Sequence, residues 1–483
     1  MLSDVGEISG RIVGKPLCKP RVHKIGDNNA VGIYCRASCA IMVEHSCEPE
    51  LTMKICVLGG DGYLGWPTSL YFSRRGHQVL AIDNFAKRRE AQCGVRPLQS
   101  IPPLSARIER WRTVARRKTT GPIRFQHCDL SEDYELLAGL LQRFRPDALV
   151  HFAEQPSAPF SMACRENAIE TQRNNVLGTL NLAFAMREAC PDAHLVKLGT
   201  MGEYGTPNID IEEGWLEVEH NGRRDRVLYP KRPGSLYHLS KVHDSANLEF
   251  ACRIWRLRVT DLNQGVVYGL ETDETALAEG LHTSFHYDAV FGTVLNRFIA
   301  QAVLGVPLTL YGLGNQVRGL LNIRDTLRCI ELVILNPAEP GEFRVFNQFT
   351  EQFSVRQLAD AVADAARSAG YLVEVAHVEN PRVEAEEHYY NARHQALCDL
   401  GLTHHLLDQS VLAGMIERVA RHRGLIDPDA IRPVIGWRTR EHPVSRRERS
   451  SAQSPAIVRR PATGTGPETV IANIRSEHEF HAV

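Results

Sequence analysis

Tyr237 and Lys241, in the run Tyr-His-Leu-Ser-Lys, stand four positions apart and therefore on one face of a helix. A phenol with its ordinary pKa near 10 is a poor base at neutral pH. An ammonium one turn away favours the phenolate, and a second cation beside the ring favours it further. So placed, Tyr237 can take a proton from a hydroxyl whose carbon gives up hydride. Thr200, at the end of an apolar run, can share a hydrogen bond with that hydroxyl. Tyrosine and lysine at this spacing are common on solvated helix faces, so the pair becomes specific only through its context.

That context is a glycine pattern upstream. Gly59-Gly60-Asp61-Gly62-Tyr63-Leu64-Gly65 directly follows the apolar run Lys54–Leu58 and leads into a helix-like stretch, Thr68–Arg75. Glycines there let the chain turn tightly, let backbone approach a pyrophosphate, and let helix pack closely on strand. The helix N-terminus then offers free N–H groups and partial positive charge to phosphates. Asp83, 18 residues after Gly65, ends the next run. A carboxylate at that point accepts from a ribose diol and repels a 2′-phosphate, so NAD is favoured over NADP. Lys87, Arg88 and Arg89 follow and weaken that preference, since basic groups can accept the extra phosphate. Asp129 either meets the adenine amine or forms a turn. Asn84, Leu130, Asn174 and Val267 complete the candidate cofactor contacts.

The elements that must hold these residues alternate. Gln78–Asn84, Arg124–Cys128, Ala148–Phe152, His194–Leu198 and Val259–Val267 read as strands. Tyr134–Arg145, Asn175–Glu188 and Leu236–Arg253 read as helices between them. Such alternation predicts an α/β fold with a doubly wound parallel sheet, of the Rossmann type. Residues 53–270 are expected to form the cofactor domain and 271–437 a smaller α+β substrate domain, part of the sheet being shared. Lys87–Lys118, with its Lys/Arg excess and Pro102-Pro103, reads as a solvated insertion, helical around Ser105–Arg117, or as a basic lid over an anion. Residues 1–52 show no hydrophobic period and are expected to be disordered or a mistaken start before Met53; residues 438–483 read as a disordered tail.

Composition narrows the class. The 483 residues carry 56 Lys+Arg against 57 Asp+Glu, without the basic excess of a general nucleic-acid or membrane binder. No run approaches the roughly 18 apolar residues that a membrane span needs. Twelve cysteines are too sparse for a disulfide scaffold and suit a reducing compartment. A cytoplasmic location is expected, or the chloroplast stroma for a plant or algal source. The spacings of Cys18, Cys35, Cys39 and Cys47 match no metal-binding pattern, so no metal is expected.

Together these residues resemble the extended short-chain dehydrogenase/reductases, the NAD-dependent nucleotide-sugar epimerases and dehydratases. The resemblance tightens between Met53 and about Trp437, through LVKLGTMGEYGTPNIDI, SLYHLSKVHDS, DLNQGVVYG and FNQFTEQFSV. It implies NAD as cofactor, UDP-glucose and sulfite as substrates, a homodimer, and a possible sulfite-delivering enzyme. A 4-epimerase or 4,6-dehydratase working without sulfite is the alternative. In 4,6-dehydratases an Asp-Glu pair follows the threonine; here Met201 and Gly202 intervene before Glu203. Glu203 is either a proton-transfer group or a strand-end residue held by backbone N–H groups. His238 is a further proton-transfer candidate at C6, or a buried structural histidine.

By the same resemblance, Tyr311, Gln316 and Arg318 face the UDP part of the substrate, and Gln264 and Asn263 its sugar. Arg318 and Arg382 can pair with phosphate oxygens, or else with carboxylates such as Asp325 and Glu384. One departure stands out: Glu154-Gln-Pro-Ser-Ala-Pro159 has Pro156 where an arginine is expected.

Overall fold

The computed structural model describes residues 52–92, 96–115, 120–382, 389–432 and 436–437. The expectations for residues 1–51 and 438–483, and for Cys18, Cys35, Cys39, Cys47 and Glu384, lie outside them.

Seven parallel strands carry the site: β1 (Lys54–Leu58), β2 (Gln78–Asp83), β3 (Ile123–His127), β4 (Ala148–His151), β5 (His194–Thr200), β6 (Arg258–Gln264) and β7 (Phe343–Gln348). Their order is β7-β6-β5-β4-β1-β2-β3, so direction of winding reverses between β1 and β4. A crevice forms at the carboxyl ends of the strands at such a reversal. Helices cover both faces, which is why β1 and β4 read as continuous apolar runs rather than alternating ones.

The expected strand Val259–Val267 is broken. β6 ends at Gln264, and Val266–Tyr268 pairs instead with Val317–Asn322 in a separate three-stranded sheet completed by Glu351–Ser354. Gly265 makes the switch: a Cβ there would lie 2.5 Å from the Gly319 carbonyl oxygen. Segment 271–437 contributes β7 to the main sheet and packs Leu327, Ile330 and Val333 of helix Ile323–Leu335 into the main core. It also builds a second core around helices Val294–Leu304, Val355–Ser368 and Gln409–Ala420.

The basic insertion is not a solvated face. Its helix, Leu104–Ala115, buries Leu104, Ile108 and Trp111 in the main core. Arg107 is 1% exposed and stacks over Trp66 with 4.5 Å to the ring centroid. Two further differences are a hairpin, Trp215–His220 with Arg223–Leu228, and a helical run that begins at Arg165 rather than Asn175. That run contains a single π turn at Arg173–Leu177. Such a turn rotates the residues it contains, and it places Asn174 at the cofactor cleft while Asn175 turns inward.

Candidate active site

The glycine turn fits a dinucleotide. Gly59, at φ +80°, and Gly60 donate from their amides to the Ile82 carbonyl oxygen at 2.8 and 3.1 Å, closing the turn onto β2. A Cβ at Gly65 would lie 2.0 Å from the Gly59 carbonyl oxygen, so helix Gly65–Arg74 packs on the strand only because this position has no side chain. A Cβ at Gly62 would meet nothing nearer than 3.3 Å, which leaves that face of the turn open to a phosphate. Leu64 and Gly65 line the cleft at the helix N-terminus, while Trp66 donates its amide to the Gly62 carbonyl oxygen at 3.2 Å and Pro67 has no N–H.

Asp83 accepts from the Asp61 amide at 2.9 Å and the Phe85 amide at 2.7 Å, which fixes its carboxylate at the cleft. The three basic residues are placed apart. Arg88 pairs with Asp61, Arg89 donates to the Asn84 carbonyl oxygen, and Lys87 lies over the Phe291 ring at the cleft wall. Arg88 is thus spent on Asp61, and the basic run adds one lysine to the cleft rather than a phosphate cage. Asp129 does not line the cleft; it accepts from Asn84 Nδ2 at 2.7 Å and so orients Asn84, which does. Tyr63, Leu64, Leu130, Asn174 and Val267 all line the same space.

Helix Leu236–Trp255 starts at Ser235, whose hydroxyl accepts the His238 amide at 3.2 Å. This cap directs Tyr237 into the crevice, where the Tyr237 amide donates to Ser161 Oγ at 3.0 Å. Lys241 is one turn on, yet its ammonium lies 6.0 Å from the Tyr237 ring centroid. It donates to the Leu198 carbonyl oxygen at 2.5 Å and pairs with Glu154. Tyr237 is accordingly held above its ordinary pKa, first by burial and then by the charge of Glu154, with Lys197 opposing. The sequence pattern gives Glu154 no role; the usable signal is an acidic residue three positions beyond a buried strand.

Two candidates line neither cavity. Glu203 is fully buried and lines neither cavity. It accepts from the Thr200 amide at 3.1 Å and pairs with Lys197 and Lys231, which hold its carboxyl down at about 2. Its charge is met by one backbone N–H and two ammoniums. Asn263 is also fully buried, donating to the Tyr204 hydroxyl at 2.8 Å, because β6 points it away from the crevice that Gln264 faces. His238 does line the sugar-side cavity. Ser235 Oγ lies 2.9 Å from its Nδ1, and burial pushes its pKa down to about 3, so the ring is neutral. Nε2 sits over Gly202, where a Cβ would come within 2.3 Å.

A larger cavity, about 890 Å³, adjoins the cofactor cleft of about 440 Å³. It is lined by Tyr311, Gln316, Arg318 and Arg382, as the sequence suggested, and by Arg297, which was missed. Arg297 is 6% exposed and stacks on Tyr311 at 4.1 Å to the centroid. It donates to the Thr309 carbonyl oxygen at 2.9 Å, while its Nε has no hydrogen-bond partner. Asp325 bonds to His405. Thr200, Tyr237, Gln264 and Pro156 line both cavities. Among the described residues, no cluster of His, Cys, Asp or Glu could hold a metal ion.

This geometry sets a cleft fit for a dinucleotide beside a second cavity lined by arginines, the two meeting at Thr200 and Tyr237. Residues 55–347 match the model of the NAD dependent epimerase/dehydratase family. The UDP-sulfoquinovose synthase of spinach chloroplasts is 52% identical over 386 residues, 80% of this chain and 79% of that protein. That of Sulfolobus acidocaldarius is 43% identical over 351 residues, 72% of this chain and 88% of that protein. A UDP-glucuronic acid 4-epimerase from Bacillus cereus, solved with UDP-glucuronic acid and NAD, shares the fold at 18% identity. Its TM-score is 0.57, covering 76% of this chain and 99% of the other. With the glycine turn, the switch-point crevice and the Thr200/Tyr237/Lys241 set in place, the chain belongs to the NAD dependent epimerase/dehydratase family.

Proposed function

We propose that the chain makes UDP-sulfoquinovose from UDP-glucose and sulfite, with NAD retained and regenerated. One observation carries the reading: the two cavities meet at Thr200 and Tyr237. A sugar seated in the larger cavity therefore offers its 4-hydroxyl to both side chains beside the cofactor cleft. NAD, when bound, supplies the acceptor for the C4 hydride and later returns it.

The residues do the rest. Thr200 orients the 4-hydroxyl and Tyr237 takes its proton. The resulting 4-ketone acidifies the C5 proton. Loss of that proton and of the C6 hydroxyl, as water, leaves a 5,6-alkene conjugated with the ketone. Sulfite attacks C6 through sulfur, a carbon–sulfur bond forms where a carbon–oxygen bond broke, and a proton returns to C5. Reduction of C4 regenerates the alcohol, and Tyr237 gives its proton back, so no net redox occurs. His238, neutral at the sugar-side wall, donates a hydrogen bond to the departing C6 hydroxyl; Met201 and Gly202 offer no acid there. Arg232, Arg297, Arg318 and Arg382 line the cavity and provide cations for the diphosphate and sulfite in the absence of an arginine at position 156.

Incubation with UDP-glucose, with and without sulfite, followed by product mass analysis, tests the reading. A sulfite-dependent sulfonated sugar nucleotide is expected. Sulfite-independent UDP-galactose would instead establish a 4-epimerase. Homodimerisation is part of the proposal, since helix Leu236–Trp255 exposes Phe250 and Ile254, and the preceding helical run exposes Ile169 and Leu177. Sedimentation of the full chain checks it. Sulfite delivery by a separate enzyme and a location in the cytoplasm or chloroplast stroma complete it. Among the described residues no helix is long and apolar enough to cross a membrane.

A further inference from the structure

Beneath the crevice lies a buried charged cluster that the reaction does not use directly. Its carboxylates are Glu154, Glu203, Asp244 and Asp261, and its ammoniums Lys197, Lys231 and Lys241, so acid outnumbers base by one. Asp244 is fully buried and neither of its oxygens has a hydrogen-bond partner. Burial and the nearby charge of Glu154 hold its carboxyl well above the usual range. Lys197 serves Glu203 and Asp261, and Lys231 serves Glu203. Among the described residues, Glu154 is the carboxylate left for Lys241.

Glu154 also reaches the cofactor side. It follows β4, is 3% exposed at its side chain, and lines the cofactor cleft together with Lys241 and Tyr237. Its loop is held firmly. Asn175 from the π turn accepts the Gln155 amide at 2.8 Å and donates to the Gln155 carbonyl oxygen at 3.2 Å. The same Asn175 donates to Ser240 Oγ at 2.9 Å, on the catalytic helix beside Lys241. One side chain thereby fixes the loop carrying Glu154 relative to the helix carrying Tyr237 and Lys241.

We propose that Glu154 is a positioning residue: it holds the Lys241 ammonium and offsets its charge, so that Tyr237 keeps its proton until a further cation enters the cofactor cleft. The titratable groups around Tyr237 come from each element packed on it, and His238 on its own helix lies with 4.9 Å between ring centroids. Lys241 and Asp244 also lie on that helix, Glu154 follows β4 with His151 beside it, Lys197 is on β5 with its partner Asp261 on β6, and Glu203 is in the turn after β5. His151 is neutral, its pKa pushed down to about 3 by burial. Without Glu154 the Lys241 ammonium has no carboxylate partner among the described residues. The inference rests on the hydride-transfer role of Tyr237 and is independent of sulfite.

Ultraviolet titration of tyrosine ionisation in the full chain reads the phenol itself. In Glu154→Gln, one tyrosine is expected to ionise about 1–3 pH units lower than in the unaltered protein, the span typical of a nearby charge. That signal should vanish in Glu154→Gln/Tyr237→Phe. Glu154→Asp, which keeps the charge, should titrate like the unaltered protein. No downward shift in Glu154→Gln, or equal shifts in both single variants, would overturn the proposal. Lys241→Met and Glu154→Met/Lys241→Met supply a pair that leaves no buried ammonium unpartnered; the double variant should ionise Tyr237 at lower pH than the single one, and equality again overturns it. Reduction of bound NAD by UDP-glucose without sulfite judges the hydride reading separately, since its absence in the unaltered protein would leave the phenol titration interpretable.

Discussion

Arg107 is buried against Asp61, the third residue of the glycine turn, and this pair ties the insertion helix to the cofactor cleft. Asp61 accepts from Arg107 and Arg88 with its carboxylate, while its amide is held by Asp83. A cation buried at this point fixes the turn from behind. Removing one partner of a buried pair leaves the other charge uncompensated, typically about 3–5 kcal/mol. Arg107→Met should therefore lower unfolding stability by that order and weaken NAD retention, whereas Arg88→Met, removing a half-buried partner, should cost less. Chemical denaturation and the NAD content of the purified protein check both.

This pair also shows where the sequence stopped being legible. The strand–glycine–helix pattern, Asp83, Thr200, Tyr237 and Lys241 could be read because each needs a particular residue type at a fixed spacing from a local element. The parallel sheet followed from alternating apolar runs, and its winding order is as expected for that pattern. Arg107 could not be read, because a basic run is normally solvated, and the partner that buries it lies 46 residues away in sequence. The placement of Glu203 and Asn263 was hidden for a related reason. Both stand next to crevice residues, Glu203 in the turn after Thr200 and Asn263 beside Gln264, but the pleat and the turn send them inward to tertiary partners. Glu154 and Arg297 draw their roles from ions and cavities assembled by distant segments, which spacing alone does not reveal.

Gly202 and His238 make a second prediction. The imidazole lies where an alanine methyl at position 202 would stand, within 2.3 Å of Nε2. The ring is stiff and anchored by Ser235, so it must swing from the sugar-side wall. Overpacking of this kind typically costs about 1–3 kcal/mol. Gly202→Ala should lower turnover with UDP-glucose and sulfite by roughly the same factor as His238→Ala, and the double variant should be little worse than either. Losses that multiply instead would separate the two residues.

Arg297 makes a third. Its guanidinium sits in the larger cavity with Nε unpartnered, and burial together with the charge of Arg382 lowers its pKa. Such a group gains a great deal from an anion. Arg297→Lys keeps a charge but loses the planar fork and the stacking on Tyr311. It should raise KM for UDP-glucose about tenfold or more, with a smaller effect on kcat and none on NAD content. Steady-state kinetics at saturating sulfite separate the two constants; an unchanged KM would place the substrate anion elsewhere.

His194 gives a prediction about pH that is independent of the reaction. It is buried between β5 and β6, with Nε2 2.9 Å from Thr260 Oγ1, and burial together with Arg344 and Arg258 pushes its pKa down to about 3. The unfolded chain has an ordinary histidine, near 6.5. Above that pH neither state is protonated and His194 leaves stability unaffected. Below it the unfolded state binds a proton that the native state refuses, so stability falls with pH, by about 1.4 kcal/mol per unit, until the native pKa is reached. His151 and His238 act in the same direction, and the raised carboxyl of Asp244 acts against them. The contribution of His194 is isolated by comparison with His194→Gln, whose amide can still meet Thr260. Denaturation midpoints followed from pH 7 to pH 5 should fall more gently in the variant, with a slope smaller by about that amount per pH unit in the lower part of the range. Identical slopes would mean that His194 takes up its proton within the folded protein.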